Sequence, residues 1–284
     1  MLDRARCTVL TVNLFWRHLS SICRKPLKKQ TGKARYSILR RILLTFFASV
    51  LIKCFNRCYC NMGDQPHLSD AKNRIKKSNT ALLMIDFQRD FCAVGGYADA
   101  AFDGGLEWVE SIIPQAASLL KWARDNGLTI IHTREGYAPD LSDVHEIKKR
   151  KSIANSSPIG GDGPMGKFLI RGEHGHDTID ELKSLPGEIV LDKSSFGTFA
   201  STNIDQILKE TGIEQLVFAG VTADVCVHTT LREATDRGYE CWYCRDAIST
   251  PDPFIREACE RMIVHEGGIW GWLVTVDEML KLKL

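Results

Sequence analysis

An acid, an amine and a thiol stand at three comparable points of the chain. Asp86 follows the apolar run Thr80-Ala81-Leu82-Leu83-Met84-Ile85, Lys193 follows Ile189-Val190-Leu191-Asp192, and Cys226 comes shortly after Gln215-Leu216-Val217-Phe218-Ala219-Gly220. Together they could run nucleophilic catalysis: a sulfur that attacks, a carboxylate that takes its proton, an ammonium that steadies the charge. Gly220 reads as a turn after a strand, which puts Cys226 in the first turn of the next helix. Unpaired backbone N–H groups and the positive helix end lower a thiol's pKa there. Each residue also has a plain structural reading. Cysteine is among the most buried residue types, and a strand-end Asp or Lys can pair in the core or face water. Catalysis and a buried Asp–Lys pair stand level on the pattern alone.

The other candidates are weaker. His132 lies in an apolar run and reads as a core or pocket-lining histidine, and His174-Gly175-His176 falls in a long irregular segment. No His-x-x-x-His array accompanies them, so no metal is expected. Gly95-Gly96 and Gly104-Gly105 lack the strand-to-helix setting of a phosphate or dinucleotide loop, so no cofactor is expected. Cys241-Trp242-Tyr243-Cys244 matches C-x-x-C, but a strand alternates its side chains and no second pair exists for zinc. Trp270 and Trp272 serve either the core or an interface.

Six strands are expected to carry these residues: 80–86, 128–133, 188–192, 215–221, 239–244 and 273–276. Between them fall helices at 107–126, from about Thr202 with a capping box Thr202-x-x-Asp205, from the Cys226 turn to Arg237, from Pro253 to His265, and a short one at 277–282. Pro114 requires the first of these to start late or kink. Residues 134–187 show no long periodicity and read as a functional lid. Strand and helix alternate closely, the pattern of an α/β protein with a doubly wound, mainly parallel six-stranded sheet and helices on both faces. All three chemical groups then fall at the carboxyl edge of the sheet, where ligands bind in such folds.

The 284 residues carry a formal charge of +2, which hides an asymmetry. Residues 1–60 hold 13 Lys and Arg against one acid, a balance of +12, and the remainder carries −10. The acidic body argues against nucleic-acid binding. The ten cysteines divide five and five with no framework spacing, which fits a reducing compartment. We expect a basic extension over 1–61, a polar connector over 62–79 and the folded domain over 80–284. The uncharged run 42–52 is about half a bilayer span. The extension therefore reads as an organelle presequence, a membrane-surface anchor or a dispensable segment. Location is accordingly cytoplasmic, or mitochondrial if the extension is a presequence.

From about Asn79 to Val276 the chain resembles the isochorismatase-like cysteine hydrolases. The matching pieces are Met84-Ile85-Asp86-Phe87-Gln88-Arg89-Asp90-Phe91, Lys193 after Val190-Leu191-Asp192, and Gly220-Val221-Thr222-Ala223-Asp224-Val225-Cys226. The resemblance implies an Asp86–Lys193–Cys226 triad, a cis peptide at Val221–Thr222 and an oxyanion hole from the Thr222 and Cys226 amides. Longer tracts, His132-Thr133-Arg134-Glu135-Gly136, Pro139-Asp140-Leu141-Ser142-Asp143, Arg171-Gly172-Glu173-His174-Gly175-His176-Asp177 and Cys226-Val227-His228-Thr229-Thr230-Leu231-Arg232-Glu233-Ala234, look most like biuret amidohydrolases. Thr133-Arg134 stands where nicotinamidases carry a metal-binding Asp-x-His. The implied activity is metal-free cleavage of a small linear amide or ureide through a thioester, with ammonia released. Ureidoacrylate-type or other small-amide hydrolysis, or a non-catalytic scaffold, are the alternatives. Phe91 and Glu266 would line the pocket, and residues around His174 would close it. Glu266 stands where biuret-type relatives tend to have Gln, and an ionised Glu touching substrate would repel a carboxylate. Such relatives also imply a homo-oligomer, dimer or tetramer.

Overall fold

The computed structural model describes Gln65, residues 67–101 and residues 105–284. The expectations for residues 1–61 lie outside the described residues.

Six strands form one sheet: β1 (Thr80–Ile85), β2 (Thr129–Glu135), β3 (Ile189–Lys193), β4 (Gln215–Val221), β5 (Glu240–Ser249) and β6 (Trp272–Val274). Their order is β3-β2-β1-β4-β5-β6, and all five pairings are parallel. The chain winds outward from β1 to β3, then returns to place β4 against the other side of β1. That reversal opens a crevice at the carboxyl ends of β1 and β4. Asp86 and Cys226 lie there, just past those two strands.

Alternation along β1 sends Leu82 and Met84 to one core layer and Ala81, Leu83 and Ile85 to the other. The first layer packs against α1 (Ile113–Asn126), through Ala116, Leu119, Leu120 and Ala123. The second packs against α3 (Ile204–Glu210), α4 (His228–Asp236) and α5 (Pro253–Val264), through Ile204, Leu208, Leu231, Ala234, Cys259 and Ile263. All six residues of β1 are buried, as a central parallel strand between two helical layers requires. Cys241 belongs to one layer and Cys244 to the other, so the C-x-x-C thiols face opposite sides of the sheet.

One close approach fixes β1 against β4. Gly220 pairs with Ile85 at φ 148°, and a Cβ there would lie 2.3 Å from the Ile85 carbonyl oxygen. Only glycine lets the two site-bearing strands meet at that point.

Several local expectations need correction. Helix α1 starts at Ile113, so Pro114 sits in its first turn, and a separate short helix covers Glu107–Glu110. Helix α3 starts after Asn203 with no side-chain cap; the Thr202 hydroxyl instead donates to Thr198 O and accepts from Ile204 N. Strand β5 runs to Ser249, beyond the expected 244. Within the polar connector, the Gln65 amide exchanges two 2.7 Å hydrogen bonds with the Leu273 backbone. Within the expected lid lie helix α2 (Glu146–Ala154), the two-stranded ribbon Asp162–Gly163 with Gly166–Lys167, and a 3-10 turn at Asp180–Leu182. A satellite core of Tyr137, Ile159, Phe168, Leu169 and Ile170, with Phe91 and Tyr97 against it, anchors that segment.

Candidate active site

The sheet register brings the site together. β2 and β3 pair with Arg134 opposite Asp192 and Glu135 opposite Lys193. Side chains alternate, so Arg134 and Asp192 bond each other on one face at 2.8 Å. Glu135 and Lys193 project to the other face, toward β1 and β4.

The Lys193 ammonium lies 2.8 Å from Asp86 Oδ2, and both side chains are 0% exposed. Asp86 Oδ1 accepts the Thr133 hydroxyl at 2.7 Å, and Lys193 Nζ also donates to Ser195 O at 3.0 Å. Asp86 has a left-handed backbone, φ 53°, which turns its carboxyl back under the strand end. Such a conformation is costly for a residue with a Cβ and clusters at functional sites.

Cys226 lies in a wide turn, Ala223–Val227, closed by Val227 N donating to Thr222 O at 3.2 Å and running straight into α4. The Val221–Thr222 peptide ahead of it is cis, as the resemblance implies. The Cys226 thiol, one oxygen of Asp86 and one of Glu135 lie within 4.8 Å of one another. Those are ligand types a metal could use, but the Lys193 ammonium, 2.8 Å from Asp86 and 3.9 Å from Glu135, already stands there as the countercation.

Glu135 is the residue that sequence reasoning missed. It accepts the Cys226 S–H on Oε2 at 3.5 Å, while Oε1 takes the Tyr137 hydroxyl at 2.8 Å and the Lys148 ammonium at 2.9 Å. Lys148 comes from α2, caps the Phe196 ring at 3.9 Å and ties that helix to the site. The expected second strand stopped at Thr133, so nothing marked residue 135 as a strand-end group.

Electrostatics correct one expectation. Burial pushes the Cys226 thiol well above its ordinary pKa; Lys193 pulls it back in part, and Asp86 and Glu135 push it up again. The surroundings thus raise the thiol's pKa, opposite to the lowering expected from the helix end. Burial would lower the Lys193 pKa, but Asp86, Cys226 and Glu135 outweigh it and keep the ammonium. Burial would raise Glu135, yet Lys193 and Lys148 hold it below the usual carboxylate range.

A cleft of about 530 Å³ opens beside the sulfur. Phe91, Phe168, Phe196, Val221 and Val225 give apolar walls; Lys148 and Lys151 add cationic groups, and Thr222 and Cys226 form the floor. Phe91 is one of these lining residues. Glu266 does not line this cleft: it sits in an exposed turn after α5, φ 53°, beside His265. The wall opposite the thiol comes from α2 and residues 157–169, not from around His174, which is exposed. His176 is buried 3.5 Å from Asp192, and His132 is buried with Nε2 2.9 Å from Glu188.

Fold and site together define a doubly wound α/β protein with a thiol, a buried ammonium and two carboxylates at its topological switch point. The chain belongs to the isochorismatase-like cysteine hydrolase family, residues 80–271 matching the Isochorismatase domain. It is 28% identical over 214 residues to the ureidoacrylate amidohydrolase RutB of Agrobacterium fabrum, covering 72% of this chain and 90% of that protein. The RutB of Caulobacter segnis is 29% identical, covering 72% and 85%. Among solved structures it resembles a cysteine hydrolase from Pseudomonas syringae pv. phaseolicola 1448A (TM-score 0.61, 21% identity, 73% of this chain and 93% of that one). It also resembles N-carbamoylsarcosine amidase from Thermoplasma acidophilum (TM-score 0.53, 23% identity, 70% and 97%). At those identities the structural likeness concerns the fold.

Proposed function

We propose that this chain is a cysteine-dependent amidohydrolase that opens a C–N bond of a small linear amide or ureide through a thioester. The observation that carries the reading is a thiol on the floor of a cleft, with a sealed carboxylate–ammonium pair directly behind it. The relatives named as ureidoacrylate amidohydrolases support a small-amide substrate.

In this reading Asp86 takes the thiol proton as substrate enters, and Lys193 stabilises the thiolate. The sulfur adds to the carbonyl carbon, and the oxyanion is held by the Thr222 and Cys226 amides, each donor typically worth about 3–4 kcal/mol. Collapse breaks the C–N bond; the proton on Asp86 passes to the nitrogen, which leaves as ammonia or an amine. Water, deprotonated by Asp86, then attacks the thioester. The acyl group leaves as an acid and the proton returns to sulfur. The high thiol pKa supports a proton transfer that waits for substrate, since a standing thiolate would be open to oxidation.

Between biuret and ureidoacrylate-type substrates, the cleft supports the second. Lys148 and Lys151 line it, two cations against the one carboxylate of Glu135, whereas Glu266, the group expected to repel a carboxylate, lies outside it. A panel of biuret, ureidoacrylate analogues, nicotinamide and isochorismate, read by ammonia or product release, tests the proposal. We expect turnover on the ureides and its complete loss in Cys226→Ala with an unchanged melting temperature. Full turnover in that variant would refute the covalent route.

A further inference from the structure

We infer that Glu135 is the residue that recognises the substrate's amide nitrogen, so the site accepts only carbonyl compounds with an N–H next to the reacting carbonyl. The inference rests on the amidohydrolase reading above and adds a specificity residue to it.

Among the described residues, Glu135 is the only acidic residue lining the cleft beside the sulfur; Asp86 is sealed behind it. Its two oxygens are not equivalent. Oε1 is fully engaged, held by the Tyr137 hydroxyl and the Lys148 ammonium. Oε2 faces the Cys226 S–H at 3.5 Å, a weak donor at a long distance, and stands 3.9 Å from Lys193. Oε2 is therefore an ionised acceptor with spare capacity, beside the atom that attacks.

That arrangement becomes unfavourable once the thiol gives up its proton. Oε2 then loses its only hydrogen-bond donor among the described residues and faces a thiolate of like charge. A substrate N–H supplies the missing donor and relieves the repulsion at the moment the thiolate forms. An ester or an N,N-disubstituted amide brings only lone pairs or methyl groups to the same place. A buried acceptor left without a donor is costly, which is how sites built for hydrogen bonding reject analogues that lack the group.

Replacing Glu135 by Gln reverses the chemistry with little change of shape. Tyr137 and Lys148 both donate, so they hold the Gln carbonyl oxygen at the Oε1 position. The amide NH2 must then take the Oε2 position, and an acceptor becomes a donor.

The experiment uses the full chain and measures alkylation of Cys226 by iodoacetamide and by N,N-dimethyliodoacetamide, each rate divided by that of glutathione. It does not depend on turnover. Failure of the ureide panel would therefore condemn the amidohydrolase reading, while the alkylation ratio decides on Glu135. The wild type should prefer the N–H reagent by about tenfold or more, the scale of a hydrogen bond to a charged group. Glu135→Gln should abolish that preference, and Tyr137→Phe, which leaves Oε2 an acceptor, should keep it. Equal corrected rates in the wild type, or a preference that survives in Glu135→Gln, would overturn the inference. If Glu135→Gln does not fold, the wild-type ratio and the Tyr137→Phe ratio still decide it.

Discussion

At the residue scale, the site is a stack of charges whose Asp86–Lys193 pair is sealed from solvent, while Cys226 and Glu135 line the cleft. Among the described residues Lys193 is the one cation bonded to Asp86, whereas Glu135 also has Lys148 at 2.9 Å. Lys193→Met should therefore abolish turnover and cost roughly 3–5 kcal/mol in urea unfolding, the usual penalty for stranding a buried charge. Asp86→Asn added to it should recover part of that loss, because it removes the stranded charge; an additive double variant would contradict the pairing. The thiol sets a pH dependence. Its pKa is raised, so alkylation of the substrate-free protein should still climb with pH beyond the range where an ordinary cysteine is fully ionised. A plateau near neutrality would show that Lys193 outweighs burial and the two acids. Asp86, Lys193 and Cys226 were legible because each closes a run that could only be a buried strand or its following turn. Glu135 was not, since its meaning depends on register: it stands opposite Lys193, and no one-dimensional pattern shows which residues two strands place side by side.

At the scale of elements, the legible part was the alternation of apolar runs and helical faces, which fixed the sheet and both helical layers. The segment between β2 and β3 was not legible. Its order comes from scattered long-range bonds: Asp90 Oδ2 accepting Leu169 N at 3.1 Å, and Asp90 N donating to Gly175 O at 2.8 Å. Glu266 was misplaced for a related reason, because left-handed conformations at 266, 267 and 268 turn the chain after α5 and leave that side chain in solvent. Asp90 makes a testable device of the loop junction. Burial raises its pKa to about 6, although the Leu169 amide works against it. A carboxyl whose folded pKa is raised favours the fold when protonated, so its contribution is complete below about pH 4 and fades as pH rises through about 6. Asp90→Asn should therefore gain melting temperature relative to the wild type between pH 4 and pH 7.5. A difference constant with pH would show that Asp90 does not titrate in that window.

At the scale of the whole molecule, the chemical groups span residues 86 to 226, and the described body is closed at its amino end by Gln65 against β6. We propose that the basic residues 1–61 lie outside the catalytic unit. A chain begun at Met62 keeps Gln65 and should turn over ureides within about twofold of the full chain, well inside the effect of losing one ordinary hydrogen bond. A tenfold loss would assign the extension a part in the site. Among the described residues no helix is long and apolar enough to cross a membrane.

The wall facing the sulfur is borrowed from one stretch of chain, whereas the sulfur, the amine and the acids are welded to four neighbouring strands. Bond-breaking and the fit of the substrate beyond its reacting amide are thus carried by separable parts. Exchanging the collar around α2 should retune what is cut while leaving intact the engine that cuts it.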